Sequence, residues 1–132
     1  MAKLTPAQAE LFKAANYAVL TTVRADGSPH NTPIWVDIDD NGTVSWNTAE
    51  GRAKHRHVLA DPRVAITIMQ EPYKWVSITG RSTFTSEGAD AQIDKLALKY
   101  LGEETYPWRK EGEVRIGAVV EIDKIDSFGI EG

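Results

Sequence analysis

The spacing of apolar side chains predicts helices in three parts of the chain. Thr5 and Pro6 form a helix start, with Thr5 as the N-cap and Gln8 closing a capping box. The clearest helical pattern comes later, where apolar residues recur at i, i+3, i+4, i+7 and i+8 until Gly102 ends the run. The predicted helices cover residues 5–16, 51–60 and 88–101.

Between these helices the pattern changes to the two-residue alternation that is typical of strands. Ile34, Val36 and Ile38 alternate with less apolar neighbours, and Asn41-Gly42 is a strong hairpin signal because it tolerates positive φ. Six strands are predicted at residues 17–24, 30–39, 43–48, 63–69, 75–85 and 114–122, with a short tail strand around 127–130. The first three are expected to form a meander. A sheet with so many hairpins closes most simply into a barrel, so we predict one mainly β domain over residues 1–132, a six-stranded β-barrel with peripheral helices.

Composition narrows the class of protein. The chain has 132 residues, of which 42% are hydrophobic and 26% charged, as in an ordinary globular protein. No apolar run approaches the ~20 residues that a membrane-spanning helix needs. The first residues lack the apolar stretch of a secretory signal, so we expect a cytoplasmic protein. The absence of cysteine excludes disulfides, thiol catalysis and cysteine zinc sites.

The net charge of −4 argues against broad nucleic-acid binding, but it conceals a local cluster of cations. Arg52, Lys54 and Arg56 lie with His55 and His57 at the start of the second predicted helix. A helix N-terminus carries partial positive charge, so each cation there costs about 0.3–1 kcal/mol. A bound anion would resolve that conflict. Arg52 and Arg56 are four residues apart and are expected to converge on one helix face.

Two interpretations of this cluster stay open on charge alone. Asn47 and Thr48, at the end of the preceding strand, would donate to the same anion in the first interpretation. In the second, the helix is a solvated surface element whose cations pair with Glu50 and Asp61. No P-loop or Gly-x-Gly-x-x-Gly run is present, and the histidine spacing gives little support to a metal site.

The tryptophans suggest a second property of the site. Trp35 and Trp75 lie on the less apolar side of their predicted strands, where they are candidates for the walls of a planar aromatic ligand. For Trp46 we favour packing in the core or in a subunit interface.

Three runs of the sequence resemble the pyridoxamine 5′-phosphate oxidase-like split β-barrel family. They are Val19–His30, Pro33-Ile34-Trp35 and the cation-rich Gly51–Ala65. The resemblance covers about residues 10–128. Within the family, the chain is most similar to small flavin or deazaflavin oxidoreductases that use the coenzyme F420.

This resemblance implies a homodimer with two cofactor sites at the subunit interface. It implies that Arg52 and Lys54 bind the cofactor phosphate, whereas Trp75 is an aromatic residue brought by the partner chain. The remaining implied contacts to the ring system or its side chain are Thr32, Pro33, Ile34, Asn47 and Thr48. The chain departs from many relatives at His57, where they have asparagine, and in the variable segment 103–112 with Tyr106, Trp108 and Arg109.

The implied activity is hydride transfer between a deazaflavin and a small conjugated organic substrate. F420 is favoured over FMN because of the family pattern, and its acidic tail would find cations in Arg56 and Lys74. No catalytic acid or base is assigned, since hydride chemistry belongs to the cofactor. The alternatives are an FMN-dependent oxidase, a non-catalytic flavin carrier, and an interaction domain without cofactor.

Overall fold

The computed structural model describes residues 2–131 of the chain. Its helices are α1 (Pro6–Lys13), α2 (Ala53–Ala60) and α3 (Ala89–Leu101). Its strands are β1 (Ala18–Val23), β2 (Pro29–Ile34), β3 (Asp37–Ile38), β4 (Val44–Ala49), β5 (Arg63–Glu71), β6 (Lys74–Thr85) and β7 (Arg115–Phe128). None of the helices in this described part is long and apolar enough to cross a membrane.

The strands form one curled antiparallel sheet in the order β2-β1-β5-β6-β7-β4-β3. β2 and β3 lie at opposite edges of this sheet, although only Trp35 and Val36 separate them in sequence. The chain therefore passes between the two edges in two residues, which brings those edges close together. The mainly β split-barrel prediction is confirmed, with seven strands in place of six.

The extra strand arises because the predicted strand 30–39 is interrupted at Val36. Its amide donates to the hydroxyl of Tyr100 at 3.2 Å, and its carbonyl accepts from Nζ of Lys99 at 2.7 Å. Side chains of α3 thus satisfy a backbone that would otherwise pair with a strand. The predicted three-strand meander is divided at the same point: β1 pairs with β2 and β4 pairs with β3, but β2 and β3 lie at opposite edges of the sheet.

Other boundaries differ by smaller amounts. The capping box of Thr5 and Gln8 is present, but α1 ends at Lys13 because Ala14 is extended. The hairpin at Asn41-Gly42 forms as predicted, although only its glycine has positive φ.

The predicted strand 114–122 and tail strand join into the single strand β7. A register shift opposite Thr79 and Gly80 keeps β6 and β7 paired along their length. At Gly80 a Cβ atom would lie 1.9 Å from the carbonyl oxygen of Glu121, so this close approach of two backbones requires glycine.

The core fills the inside of the curled sheet and is closed at one end by α1. Trp46 is completely buried, and its indole N–H donates to Oγ of Ser82 at 3.1 Å. This confirms the core assignment of Trp46. Other large, fully buried members are Phe12, Leu20, Ile66, Ile68, Ile78 and Leu96.

Candidate functional site

A cavity of about 250 Å³ opens where the sheet edges approach each other. Its walls come from β2, β4, the start of α2, one face of α3 and the loop that connects α3 to β7. Six of the nine residues predicted to bind a cofactor line it: Pro33, Ile34, Asn47, Thr48, Arg52 and Lys54. The fold therefore brings together residues that are spread over three separate segments of the sequence.

The other three predicted residues lie outside this cavity. Thr32 has a buried hydroxyl without a hydrogen-bond partner among residues 2–131. Arg56 donates to the carbonyl oxygen of Gly51 at 2.6 Å, so it does not converge with Arg52 as expected. Trp75 stacks on Phe128 on the outer face of the sheet, with ring centroids 6.5 Å apart.

One end of the cavity is cationic because of how α2 begins. Arg52 is the N-cap, and its side chain makes no capping hydrogen bond within residues 2–131. Lys54 lies in that turn without an ion pair in the described part of the chain, and burial together with Arg52 and Arg115 lowers the pKa of its ammonium. The hydroxyl of Thr48 is buried nearby and also lacks a partner within that part.

Arg115, which the sequence analysis missed, supplies a third cation at this end. Its side chain is only 3% exposed, and Nη1 donates to Oε1 of Glu113 at 2.8 Å. The second oxygen of Glu113 lies 3.4 Å from Nη2 of Arg52. The sequence signal was an arginine at the start of an apolar strand, two residues after a glutamate.

Asn47 connects the cations to α3. Its Oδ1 accepts from Nε of Arg115 at 2.9 Å, and its Nδ2 donates to the carbonyl oxygen of Ala89 and to Oε1 of Gln92. Gln92 in turn donates to Ser45 at 2.9 Å. This network fixes the amide and the guanidinium before any ligand binds.

The opposite end of the cavity is aromatic. Trp35 stacks on Tyr100 with ring centroids 5.5 Å apart and an interplanar angle of 7°. Tyr106 and Trp108, from the loop between α3 and β7, contact the same indole at 6.0 and 6.1 Å. Tyr17 completes this wall. Trp35 thus occupies the position predicted for a wall residue.

The two histidines of α2 point to different sides, as their spacing predicts. Nδ1 of His55 accepts from the amide of Gly51 at 2.9 Å. Nδ1 of His57 lies 2.9 Å from the hydroxyl of Thr22, and its ring packs edge-on against His30. Both rings therefore have structural partners away from the cavity.

Together the cavity residues offer positive charge at one end and aromatic faces at the other. Arginine and lysine side chains, with free amides at a helix start, suit a phosphate or carboxylate. Stacked indole and phenol rings suit a planar ring system. The arrangement therefore suits a planar molecule with an anionic arm.

Comparison with known proteins identifies the family of the chain. A family model described as pyridoxamine 5′-phosphate oxidase matches residues 4–124. Comparison with curated protein sequences gives no match.

Several solved structures share the fold. A protein named F420 Reductase has a TM-score of 0.81 at 22% identity, with 93% of this chain and 98% of that chain covered. A conserved hypothetical protein from Mycobacterium tuberculosis has a TM-score of 0.73 at 19% identity, with 95% and 84% covered. General Stress Protein 26 from Bacillus anthracis has a TM-score of 0.70 at 15% identity, with 94% and 92% covered. By its match over residues 4–124 and its curled antiparallel sheet, the chain belongs to the pyridoxamine 5′-phosphate oxidase family of split β-barrel proteins.

Proposed function

We propose that this protein is an oxidoreductase that binds a phosphate-bearing deazaflavin, F420, and transfers hydride between it and a small conjugated organic substrate. One observation carries the proposal: Arg52, Lys54 and Arg115 line a cavity opposite an aromatic wall, and Glu113 is the only carboxylate that pairs with any of them among the described residues. A phosphate would offset the excess positive charge, and a planar ring would fill the aromatic end.

The residues present fit such a cofactor. The hydroxyl of Thr48 and the ammonium of Lys54 are polar groups at the cavity for which the described residues supply no partner. Among the described residues, the N-cap of α2 makes no side-chain capping hydrogen bond, which leaves amides of the first turn to donate to an anion. An unpartnered buried hydroxyl costs about 1–3 kcal/mol, which a ligand oxygen would recover.

When bound, the cofactor supplies the hydride chemistry itself. The chain's contribution is binding, orientation and exclusion of water. Arg52 and Lys54 hold the phosphate, while Pro33 and Ile34 line the ring site. Trp35 is held rigidly by its stack on Tyr100, which prepares a flat surface before the ligand arrives.

F420 is favoured over FMN by the family pattern around Arg52 and Lys54. Both cofactors carry a phosphate and a three-ring system, so the cavity residues serve either one. The acidic tail of F420 would extend beyond the cavity, where Arg56 is exposed at the start of α2. An FMN-dependent oxidase and a non-catalytic flavin carrier on the same fold are the alternative functions.

The proposed site is shared between two subunits. A cavity of about 250 Å³ is small for the whole cofactor, because pockets that bury a drug-sized ligand usually measure roughly 300–1,000 Å³. We therefore propose a homodimer in which the partner chain covers the rest of the cofactor. Trp75, which lies outside the cavity of its own chain, is the residue proposed to reach the partner's site.

Titration of the apo-protein with F420 and with FMN, followed by fluorescence and calorimetry, tests the proposal. We expect F420 to bind more tightly, and the reduced cofactor to be reoxidised by an added enone or quinone. Changing Arg52 and Lys54 together to alanine removes two charge-assisted contacts and should cost about 3 kcal/mol, roughly a hundredfold in Kd.

The matched control is Arg63→Ala, which removes an exposed arginine that pairs with Asp61 away from the cavity. Its affinity should equal that of the unchanged protein. Tighter binding of FMN would overturn the choice of cofactor, and binding of neither would overturn the proposed function. Binding without turnover for any electron acceptor would favour the carrier alternative.

A further inference from the structure

Glu113 places a negative charge inside a site proposed to bind an anion. Its side chain is only 6% exposed and makes contacts with both arginines of the cavity, 2.8 Å to Nη1 of Arg115 and 3.4 Å to Nη2 of Arg52. A carboxylate at this position repels a phosphate. Glu113 therefore cannot serve to attract the ligand, and its contacts with the two arginines need another explanation.

The guanidinium of Arg115 is constrained on several sides. Nε donates to Oδ1 of Asn47 at 2.9 Å, Nη1 donates to Glu113, and the ring of Tyr106 lies 5.1 Å from the central carbon. Nη2 has no partner among residues 2–131, although the side chain is nearly buried and lines the cavity. The guanidinium carries five N–H groups. Its two fixed N–H groups thus leave the others oriented for a ligand.

Arg52 is more exposed than Arg115 and has fewer side-chain partners. It precedes α2, its side chain is 44% exposed, and Glu113 is its only hydrogen-bond partner through the side chain in the described chain. A long exposed side chain loses rotamer entropy when it is fixed. An ion pair that holds it near the cavity before binding removes part of that cost from the binding step.

From these contacts we infer that Glu113 is a positioning residue, whose carboxylate holds Arg52 and Arg115 at the spacing at which both donate to one bound anion. The inference rests on the proposed function, since it assigns a role within that same site. It extends the anion site from the start of α2 to β7, which the sequence motif does not include. The two arginines and Glu113 then act as one unit.

The sign of one mutational effect separates this role from a passive one. If Glu113 served only as a counter-charge, Glu113→Gln would remove a repulsion and the phosphate arm would bind more tightly. If Glu113 positions the arginines, the same change releases them and the arm binds more weakly. We expect a loss of about tenfold or more in affinity, because the charge-assisted contacts from the two arginines to the anion weaken.

Calorimetric titration of FMN against riboflavin, which lacks the phosphate, isolates the arm from the ring. The Kd of riboflavin divided by the Kd of FMN should fall about tenfold in Glu113→Gln, while the Kd of riboflavin itself changes little. Glu113→Asp keeps the charge but shortens the side chain, so positioning predicts a similar loss and a counter-charge predicts none. Glu111→Gln is the matched control, because it neutralises an exposed glutamate of the same loop.

The possible outcomes separate a failure of the proposed function from a failure of the positioning role of Glu113. If the unchanged protein binds neither F420 nor FMN, the proposed function fails. If it binds them, but FMN no better than riboflavin, the anion site around the two arginines is overturned, and the positioning role of Glu113 with it. If it does discriminate, but Glu113→Gln discriminates equally well or better, only the positioning role is overturned. Should Glu113→Gln fail to fold by circular dichroism, the Glu113→Asp ratio decides, with an unchanged ratio contradicting the inference.

Discussion

Two lysine side chains, Lys54 and Lys99, are partly buried without a hydrogen-bonded carboxylate in the described structure. The ammonium of Lys99 donates to the carbonyl oxygens of Phe12 and Val36 at 2.5 and 2.7 Å. Burial lowers the pKa of Lys99 from 10.5 to about 8, with Lys95 adding to the shift and Asp37 opposing it. Burial also lowers the pKa of Lys54, in the same direction.

These lowered pKa values predict that the protein becomes more stable in mild alkali. Between pH 8 and 10.5 the unfolded Lys99 binds a proton that the folded one has lost, so the free energy of unfolding rises with pH. Tyr100 has a raised pKa and opposes this trend only near pH 10 and above. We expect the free energy of unfolding to rise by about 1–2 kcal/mol between pH 8 and pH 9.5, allowing for solvent screening. Urea unfolding at several pH values measures it.

The pH dependence identifies the group responsible. Lys99→Met lowers stability overall by leaving two carbonyls unpaired, but it should also flatten the rise above pH 8. Lys13→Met, which changes an exposed lysine at the end of α1, should leave the slope intact. An equal slope in Lys99→Met and the unchanged protein would show that Lys99 does not titrate in this range.

Some of the individual site residues could be predicted from the sequence, and others could not. Arg52 and Lys54 were predicted because cations at a helix start are unfavourable locally, and a local rule is visible in one segment. Arg115 and Glu113 were missed because their meaning depends on contacts with residues 68 and 61 positions away, Asn47 and Arg52. Only the folded sheet brings these pairs together.

At the scale of elements, the loop between α3 and β7 determines one wall of the site. Arg109 ties it to α3 through Asp90 and Asp94, at 2.8 and 2.9 Å. The amide of Tyr106 also donates to Asp94 at 2.8 Å. Trp108 remains more than half exposed at the rim of the cavity. These ties hold the loop's aromatic side chains against Trp35.

Releasing this loop should change binding kinetics more than stability. Arg109→Ala removes two exposed ion pairs, which together are worth about 1 kcal/mol or less. We expect a small change in Tm but a several-fold faster dissociation of the bound cofactor, measured by stopped-flow fluorescence. Lys110→Ala, in the same loop without an ion pair in the described structure, is the control. A dissociation rate equal to that of the control would mean that the loop does not retain the ligand.

Elements were predictable where periodicity alone decided them and not where tertiary contacts did. α3 and the long strands β5 and β6 lie within a few residues of their predicted ranges, because each buries one continuous face. The run 30–39 kept its alternation through Val36, yet it divides into two strands. The cause is a pair of α3 side chains that hydrogen bond to one residue's backbone, and the local pattern of apolar residues does not encode that.

At the scale of the whole molecule, the outer face of the sheet is more apolar than a solvated face requires. Val19 lies beside Pro33, which also lines the cavity. Further along the face, Met69 pairs with Trp75, which pairs with Phe128. Met69 and Phe128 are both more than half exposed. Exposed apolar side chains thus lie on this face both at the rim of the proposed site and around Trp75.

We expect this face to form the subunit interface of the proposed homodimer. A stable dimer buries roughly 1,200–2,000 Å² in total, and a lysine ammonium placed there would lose its hydration without a partner. Met69→Lys combined with Phe128→Lys should therefore give monomers in sedimentation velocity, where the unchanged protein gives dimers. Cofactor affinity should fall in the same variant, because each cavity then lacks the surface that the partner supplies. Leu98→Lys combined with Leu101→Lys, which changes two exposed leucines of α3, is a control of equal charge. A monomeric variant that keeps full affinity would show that one chain holds the whole site, and Trp75 would then have no place in it.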